Sequence, residues 1–260
     1  PSLDWWLDAT AVPHGPLELP DGDASGQALR IGAGARLEVL PDPESAREFA
    51  EVRIELDVHQ DGGAGFAWHG RFRGLAAAHL RGELAAVTNK KEKLEQELAP
   101  RWPGLAVRQV TVTGVEPQAD EVTLYVQGQL KQLGVRQGDR VRVALLRPSA
   151  SLLDTWAAED KRTTPLVLPR PLGGRETVVL QLPAGVAVVE APRGLKGAGP
   201  HAHFAVTAAV GDGPCEVAVD WQVALRRLPA GDYPELRSFL ARLDAALRSE
   251  LVLQWPEGTP

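Results

Sequence analysis

Apolar and charged residues alternate strictly along much of this chain, beginning at Glu51. The inward positions of the first run are Val52, Ile54, Leu56 and Val58. After the turn residues "QDGGAG", a second run carries Phe66, Trp68 and Phe72 on one face. A repeat of two residues places successive side chains on opposite faces of a strand, so the two runs predict an antiparallel hairpin. The same pattern predicts strands over residues 105–112, 122–130 and 141–145.

A second block of alternating residues begins near Thr164. It predicts strands over residues 178–182, 204–210, 215–225 and 251–254. The clearest of these is 215–225, because six inward positions follow one another there. Turn signals such as "PAG" and "GDGP" separate the runs.

Two stretches switch to a repeat of three or four residues, which is the period of an amphipathic helix. The first covers about residues 74–99, and its apolar positions are Leu80, Leu84, Val87, Leu94 and Leu98. We expect a single long helix there, ended by the prolines and the glycine of "PRWPG". The second covers about residues 234–249. Asp232 and Glu235 have the spacing of a capping box at its start.

These elements predict a mainly β protein of the α+β class, built from two antiparallel β-sandwich-like modules with one long helix each. The first module would span residues 46–150 and the second residues 151–260. Residues 1–45 are rich in Pro, Gly and Asp. We therefore expect an irregular linker there, with one short strand near Arg36 to Leu40.

Composition narrows the range of functions. The 260 residues carry a formal net charge of −6, with a sequence pI near 5.6, which disfavours a nucleic-acid or anionic-membrane surface. No apolar run approaches the roughly 20 residues of a membrane-spanning helix, so we expect no membrane insertion. The sequence contains no methionine, not even an initiator. We therefore expect a piece of a longer protein.

Candidate chemistry is sparse. The single cysteine, Cys215, occupies an inward strand position, whereas a nucleophilic thiol needs a base and an accessible setting; we expect a core thiol. His201 and His203 could form half of a metal site, but a third ligand cannot be assigned, and a solvated strand edge is the favoured interpretation. The "GGRE" segment at Gly173 is expected to form a turn and not a phosphate loop. We predict no metal and no cofactor.

The segment "DWWLDATAV", residues 4–12, carries the most specific functional signal. It resembles the strand of transglutaminase-like (papain-like) enzymes that holds the third member of a Cys-His-Asp triad. By this match Asp8 stands at the position of the triad aspartate. In such a triad the carboxylate accepts a hydrogen bond from the imidazole, which fixes the imidazole tautomer and supports the imidazolium paired with the thiolate.

The resemblance extends over essentially the whole chain. Four further segments resemble the β-rich parts that accompany the core in multidomain bacterial transglutaminase-like proteins: "LELPDGDASGQALRI", "GRFRGLAAAHLRGEL", "LPAGVAVVEAP" and "GDYPELRSFLARLDAAL". In those enzymes the catalytic Cys and His lie upstream of the triad Asp. Only seven residues precede Asp8 here, and neither Cys215 nor His14 matches their motifs. The resemblance thus implies that residues 1–45 combine a remnant of the core with a linker.

By this resemblance the chain is a non-catalytic β-rich accessory region that follows a transglutaminase-like core and serves in docking or substrate positioning. Its partner would be the missing core or another protein. A structural or protein-interaction module of a cell-envelope protein is the alternative. A carbohydrate-binding module is a weaker one, because the seven tryptophans are scattered and suit core filling. Degenerate sites are common in the family, so Asp8 is either a former triad residue or a residue that was never catalytic. A periplasmic or cell-envelope location is favoured by the resemblance alone.

The tryptophans at the amino-terminal end of the chain are large apolar residues that we expect to be covered by other side chains. By the resemblance, Trp5, Trp6 and Leu7 formed part of a sheet inside the missing core. We expect them to pack against the downstream modules, or to be buried against a second copy in a homodimer through this amino-terminal strand.

We predict that the 260-residue chain alone has no transamidase or protease activity. A lone triad aspartate generates neither a thiolate nor an acyl-enzyme. The rates of amide hydrolysis and transamidation with the purified chain should therefore equal the uncatalysed rates in buffer alone. Trapping of Cys215 by an acyl-donor substrate analogue would contradict this expectation.

Overall fold

The computed structural model shows a β-rich protein with a few helices. The described residues are 6, 8, 10, 14, 19–20, 22–24, 26–32, 34–41, 49–116, 119–199, 201–211 and 213–256, with Phe49 described by its backbone alone. They confirm the predicted class, mainly β with an α+β arrangement. No helix in this part of the chain is long and apolar enough to cross a membrane.

The strands of the first half are β1 (Gln27–Arg30), β2 (Arg36–Val39), β3 (Phe49–Val58), β4 (Ala64–Arg73), β5 (Leu105–Thr113), β6 (Glu121–Leu130), β7 (Val135–Gln137) and β8 (Arg140–Val143). Those of the second half are β9 (Leu166–Val167), β10 (Leu172–Gln181), β11 (Ala187–Glu190), β12 (Leu195–Gly199), β13 (Ala202–Ala209), β14 (Cys215–Val223), β15 (Arg227–Leu228) and β16 (Leu251–Gln254). The helices are α1 (Leu75–Ala85), α2 (Lys90–Leu98), α3 (Leu152–Trp156) and α4 (Tyr233–Leu247).

Eight strands form the main sheet, in the order β12-β13-β14-β10-β3-β4-β6-β5. Residues 49–130 supply β3 to β6 and residues 172–223 supply the other four strands, so both predicted modules contribute to one sheet. The two halves join where β3 runs parallel to β10, beginning with Glu51 opposite Arg175. We call this pairing the seam. The other neighbours in the sheet are antiparallel.

The alternating strands give the main sheet an apolar inner face and a polar outer face. Fully buried side chains on the inner face are Ile54, Leu56, Val178, Leu180 and Val217. A four-stranded sheet in the order β11-β16-β8-β7 adds Leu251 and Leu253 to the same core. Helix α4 adds Phe239, whose ring centroid lies 5.6 Å from that of Phe204. The core is thus a sandwich of two sheets closed by a helix.

Glu176 occupies an inward position of β10, opposite Val52 and Val219, where the strand pattern predicts an apolar residue. Arg101, in the turn after α2, neutralises it. Its Nη1 donates to Oε2 of Glu176 at 2.8 Å, and its Nη2 donates to Oε1 and to the carbonyl of Leu145. The two side chains are only 14% and 20% exposed. Because bidentate ion pairs are strong and directional, this contact ties the first half of the chain to β10 beside the seam.

The stretch predicted as one long helix over residues 74–99 forms two helices, α1 and α2, so that prediction is wrong. Asn89 starts the second one. Its side-chain oxygen accepts the backbone N–H of Glu92 at 3.2 Å, and its amide donates to the Glu92 carboxylate at 3.0 Å. This side-chain cap, with the return contact between the two side chains, begins a new helix where continuity was expected. The helix predicted over residues 234–249 is confirmed as α4.

Two local predictions are corrected by the backbone. Asp232 makes no side-chain capping hydrogen bond and belongs to a short 3-10 turn before α4. Gly173 and Gly174 lie within β10 and not in a turn. A Cβ on Gly173 would lie 2.5 Å from the carbonyl oxygen of Trp221, and one on Gly174 would lie 2.8 Å from that of Ala50. Close approach of neighbouring strands therefore explains these glycines.

Before residue 49, the described residues contain a β-hairpin. The strand predicted near Arg36 to Leu40 is confirmed as β2. Its partner β1 was not predicted, since this region was expected to be irregular apart from that one strand. The domain boundaries at residues 45 and 150 stay a prediction.

Glu176→Ala should destabilise the fold by about 2–4 kcal/mol, because it leaves the buried Arg101 guanidinium without its carboxylate. Urea unfolding followed by circular dichroism would show the loss as a lower midpoint at unchanged slope. Glu216→Ala, on the exposed outer face of the adjacent β14, is the matched control and should stay within about 0.5 kcal/mol of the unaltered chain. Equal losses in the two variants would show that the buried pair adds no stability.

Candidate functional sites

Asp8, which matches the triad aspartate, is held in a local turn. Its Oδ1 accepts a hydrogen bond from the backbone N–H of Thr10 at 2.8 Å and another from the Thr10 hydroxyl at 2.7 Å. These bonds, the hydroxyl first, hold the pKa of Asp8 below its ordinary value, and His14 acts electrostatically in the same direction. The carboxylate is therefore ionised at neutral pH. Its catalytic role stays a prediction.

Cys215 lies in the core. It points from β14 to the inner face of the main sheet, opposite Leu180, and is 1% exposed. Burial raises the pKa of its thiol, which disfavours the reactive thiolate. The prediction of a core thiol is confirmed.

His201 and His203 differ in backbone setting. His201 has a φ of 56° in the turn before β13, whereas His203 lies on the outer face of β13 opposite Gln222. Over the residues that the structure describes, no group of three or more His, Cys, Asp or Glu side chains is arranged to hold a metal.

The tryptophans described from Trp68 onward pack on the core, as the sequence predicted. Trp102 and Trp255 are 2% and 1% exposed. The partly buried ones packed against the core are Trp68, Trp156 and Trp221. Trp68 also stacks on Phe72, with ring centroids 6.0 Å apart. Rings engaged in this way are poorly placed for stacking on a sugar.

The hairpin of β1 and β2 exposes a contiguous set of large aliphatic side chains. They are Leu29, Ile31, Leu37 and Val39, with 58%, 87%, 67% and 69% of their surface exposed. Leu29 lies directly opposite Leu37, Val39 shares their strand phase, and Ile31 continues the alternation of β1. We call these four residues the apolar hairpin face. In the described part of the chain β1 and β2 pair only with each other, so their outer backbone edges are also open.

The other side of the hairpin is charged and contacts the amino-terminal motif. Glu38 pairs with Arg36 and also with Arg30, whose Nε lies 2.9 Å from Oε1. These arginines, Arg36 most strongly, hold the pKa of Glu38 below its ordinary value. The Arg30 guanidinium lies 5.2 Å from the ring centroid of Trp6, which is a cation–π contact. This contact places the segment that contains Asp8 beside the hairpin.

The segment that leads into the hairpin is anchored to the second half of the chain. Arg226 is buried, and its Nε donates to the carbonyl of Leu168 at 2.9 Å. Its Nη1 donates to the carbonyl of Ala24, immediately before the hairpin. The apolar hairpin face therefore projects from a fixed base.

A cavity of about 200 Å³ lies at the end of the main sheet where the seam begins. The seam begins at Arg175, and the preceding residues of β10, from Leu172, line the cavity. We call this the seam cavity, and its polar and aromatic lining includes Arg170, Arg175, His203, Asp220, Trp221 and Gln222. Arg175 donates to Oδ2 of Asp220 from Nη2 at 2.6 Å and from Nε at 3.1 Å. This pairing raises the pKa of Arg175.

A second depression, of about 420 Å³, lies on the outer face of the main sheet. The small residues Gly65 and Ala67 form its floor, and longer polar side chains from the flanking strands form its walls. Two arginines and two carboxylates line it, and one of each, Arg53 and Glu55, pair at 2.9 Å. It offers hydrogen-bonding groups without a net charge.

Together these features define a β-rich α+β region that presents an exposed apolar hairpin and a small polar cavity. Residues 142–253 match a family described as a Domain of Unknown Function with solved-structure structure (DUF3858). This match supports a domain of unknown function over those residues and assigns no activity to it. No curated protein matches the chain.

One solved structure with weak similarity is a protein from Parabacteroides distasonis ATCC 8503 that is described as a "putative protease". The sequences are 16% identical and the TM-score is 0.36. The similarity covers 44% of this chain and 23% of that chain, so it spans less than a quarter of that protein.

Neither the apolar hairpin face nor the seam cavity was found from the sequence. A signal for the first was present, since "QALRI" and "RLEVL" both alternate and flank the glycine-rich turn "GAGA". Gly34 in that turn has a φ of 90°. The seam cavity carried no local signal, because residues from separate strands line it.

Cys215 should react slowly with a chromogenic disulfide reagent in native buffer, at least about 100-fold slower than in denaturant. Both its burial and its raised pKa suppress the accessible thiolate. The combined variant Cys215→Ala, Glu216→Cys moves the thiol one residue along to the exposed outer face and should react rapidly without denaturant. Equal native rates for the two thiols would place Cys215 at the surface.

Proposed function

We propose that this chain is a non-catalytic β-rich accessory region that docks on a transglutaminase-like cysteine-enzyme core through the apolar hairpin face. The observation that carries the proposal is the exposure of Leu29, Ile31, Leu37 and Val39 on one side of an anchored hairpin. Contiguous apolar patches mark interaction surfaces, whereas singly scattered apolar residues are ordinary.

A protein suits this surface better than a small ligand does. Covering each of the four aliphatic side chains contributes about 1.5–3 kcal/mol before the entropic cost of association is subtracted. A two-stranded hairpin is marginally stable by itself in water, so a partner that covers it also stabilises it. The open edges of β1 and β2 can in addition pair with a strand of the partner.

The position of the motif favours the enzyme core as the partner. The resemblance of residues 4–12 to the triad strand links that segment to the core. The contact between Trp6 and Arg30 brings the same segment against the charged side of the hairpin. A core that shares a sheet with this segment would therefore lie beside the hairpin that carries the apolar hairpin face.

The chemistry of the described residues supports a non-catalytic role. Cys215 is buried, and its raised pKa keeps it as a thiol. Asp8 is engaged by Thr10 within its own turn. In the proposed arrangement the nucleophile and its base belong to the core, and this region positions the core or its substrate.

Leu29→Ser combined with Leu37→Ser should weaken docking at least about tenfold, because the two residues face each other at the centre of the patch. The measurement is calorimetric titration of the 260-residue chain with a separately produced transglutaminase-like core, taken from a bacterial protein in which such a core precedes a domain of this kind. Light scattering over a range of chain concentrations, without the core, reports self-association.

The control is Val135→Ser combined with Leu195→Ser. These aliphatic residues lie outside the hairpin and expose 63% and 46% of their surface, so the change should leave docking unchanged. Equal affinity for the core in the hairpin and control variants would refute the docking surface. A mass that doubles with concentration, and that only the hairpin variant keeps monomeric, would identify a second copy as the occupant and would overturn the accessory role.

A further inference from the structure

We infer that the seam cavity binds a single carboxylate group, carried either by a small organic acid or by an acidic side chain of a peptide. The cavity uses residues other than the apolar hairpin face, so the inference does not rest on the docking role. It goes beyond that role by assigning a ligand chemistry to a site built from both halves of the main sheet.

The shape of the site follows from the seam. Strand β10 begins at Leu172 and pairs with β3 from Arg175, and the cavity is a notch at this end of the sheet. Ala50 and Ala76 bound the notch on the side of the first half of the chain. Residues of β10, β13 and β14 bound it on the other side. Most of the lining comes from paired strands, and Arg170 and Pro171 come from the bend that leads directly into β10.

Arg170 supplies a positive charge that is not paired with any residue that the structure describes. Its side chain is half-buried at the cavity, and no hydrogen bond or ion pair joins it to another residue in the described part of the chain. Arg175, by contrast, is committed to Asp220. The lining therefore holds two guanidinium groups against one carboxylate, a local excess of positive charge on a chain whose net charge is −6.

A carboxylate suits this setting for three reasons. A partly desolvated guanidinium is stabilised by an anion, and its two parallel N–H groups match the two oxygens of a carboxylate. The Gln222 amide and the His203 imidazole add further hydrogen-bond donors at the same lining. A single negative charge is enough to neutralise the excess positive charge of the lining.

The size of the cavity suits a small group. A volume of about 200 Å³ accommodates a short acid or one acidic side chain, and the cavity is open to solvent, which leaves room for the rest of a peptide. Pro171 and Trp221 also line the cavity and provide apolar atoms for the methylene groups that precede a carboxylate.

The test follows the indole N–H signal of Trp221 by nitrogen-labelled NMR, with the signal assigned through Trp221→Phe. Two probes distinguish the sources of the carboxylate: 4-acetamidobutyrate stands for a free acid and the blocked peptide acetyl-Gly-Glu-Gly-amide stands for an acidic side chain. Saturable shifts with a Kd on the order of 1 mM are expected for at least one probe. The tighter of the two identifies the source.

Arg170→Gln should raise that Kd at least about tenfold. Arg147→Gln, which removes a charge from an exposed arginine, is the matched control and should bind as the unaltered chain does. Gln222→Glu places a second carboxylate in the lining and should also weaken binding. Unchanged indole signals from the other tryptophans show that each variant has kept its fold.

Four outcomes would overturn the inference. The first is that neither acid saturates the signal up to about 50 mM. The second is that the neutral amides 4-acetamidobutyramide and acetyl-Gly-Gln-Gly-amide bind as tightly as the acids, and the third is that Arg170→Gln leaves the affinity unchanged. The fourth is that inorganic phosphate binds more tightly than either acid.

Discussion

The parallel pairing of β3 with β10 is the interaction on which the rest of the structure depends. Each half of the main sheet is an antiparallel set of four strands that would otherwise end in an open edge. Pairing the two edges buries their backbone groups at the centre of one sheet and makes the inner face continuous. The polar cavity lies at the end of the sheet where this pairing begins, beside Arg175.

The contact between Arg101 and Glu176 has a clearer role in register than in stability. Apolar residues of similar volume often stabilise a core as well as a buried ion pair does. A slip of β10 by one residue, however, would turn Glu176 to the outer face of the sheet. The guanidinium of Arg101 would then be left without its carboxylate partner. The pair therefore selects one alignment of β10 on β3 over its neighbours.

Much of the fold was predictable because its pattern is local. Alternation identified β3 to β6 and β14, and the three-to-four repeat identified α4. The break at Asn89 was not predicted, because the apolar stripe from Leu80 to Leu98 runs across it. The local signal, an Asn three residues before a Glu, was present in the sequence. The seam was not predictable, since nothing near Glu51 indicates that it will face Arg175. Asp8 could be proposed because its motif is contiguous in the sequence. The seam cavity could not, because residues from separate strands line it.

The anchor at Arg226 has a consequence for the order of events during synthesis. Ala24 is translated before Arg226, the residue whose side chain holds it in place, which lies 202 positions later in the chain. Until that part of the chain has emerged, the exposed leucines have no fixed base from which to project. Because chains fold from the amino terminus as they are made, this arrangement delays the final placement of the exposed apolar surface until Arg226 has been translated. The synthesis of a distant residue thus sets the earliest time at which this surface is held in its final position.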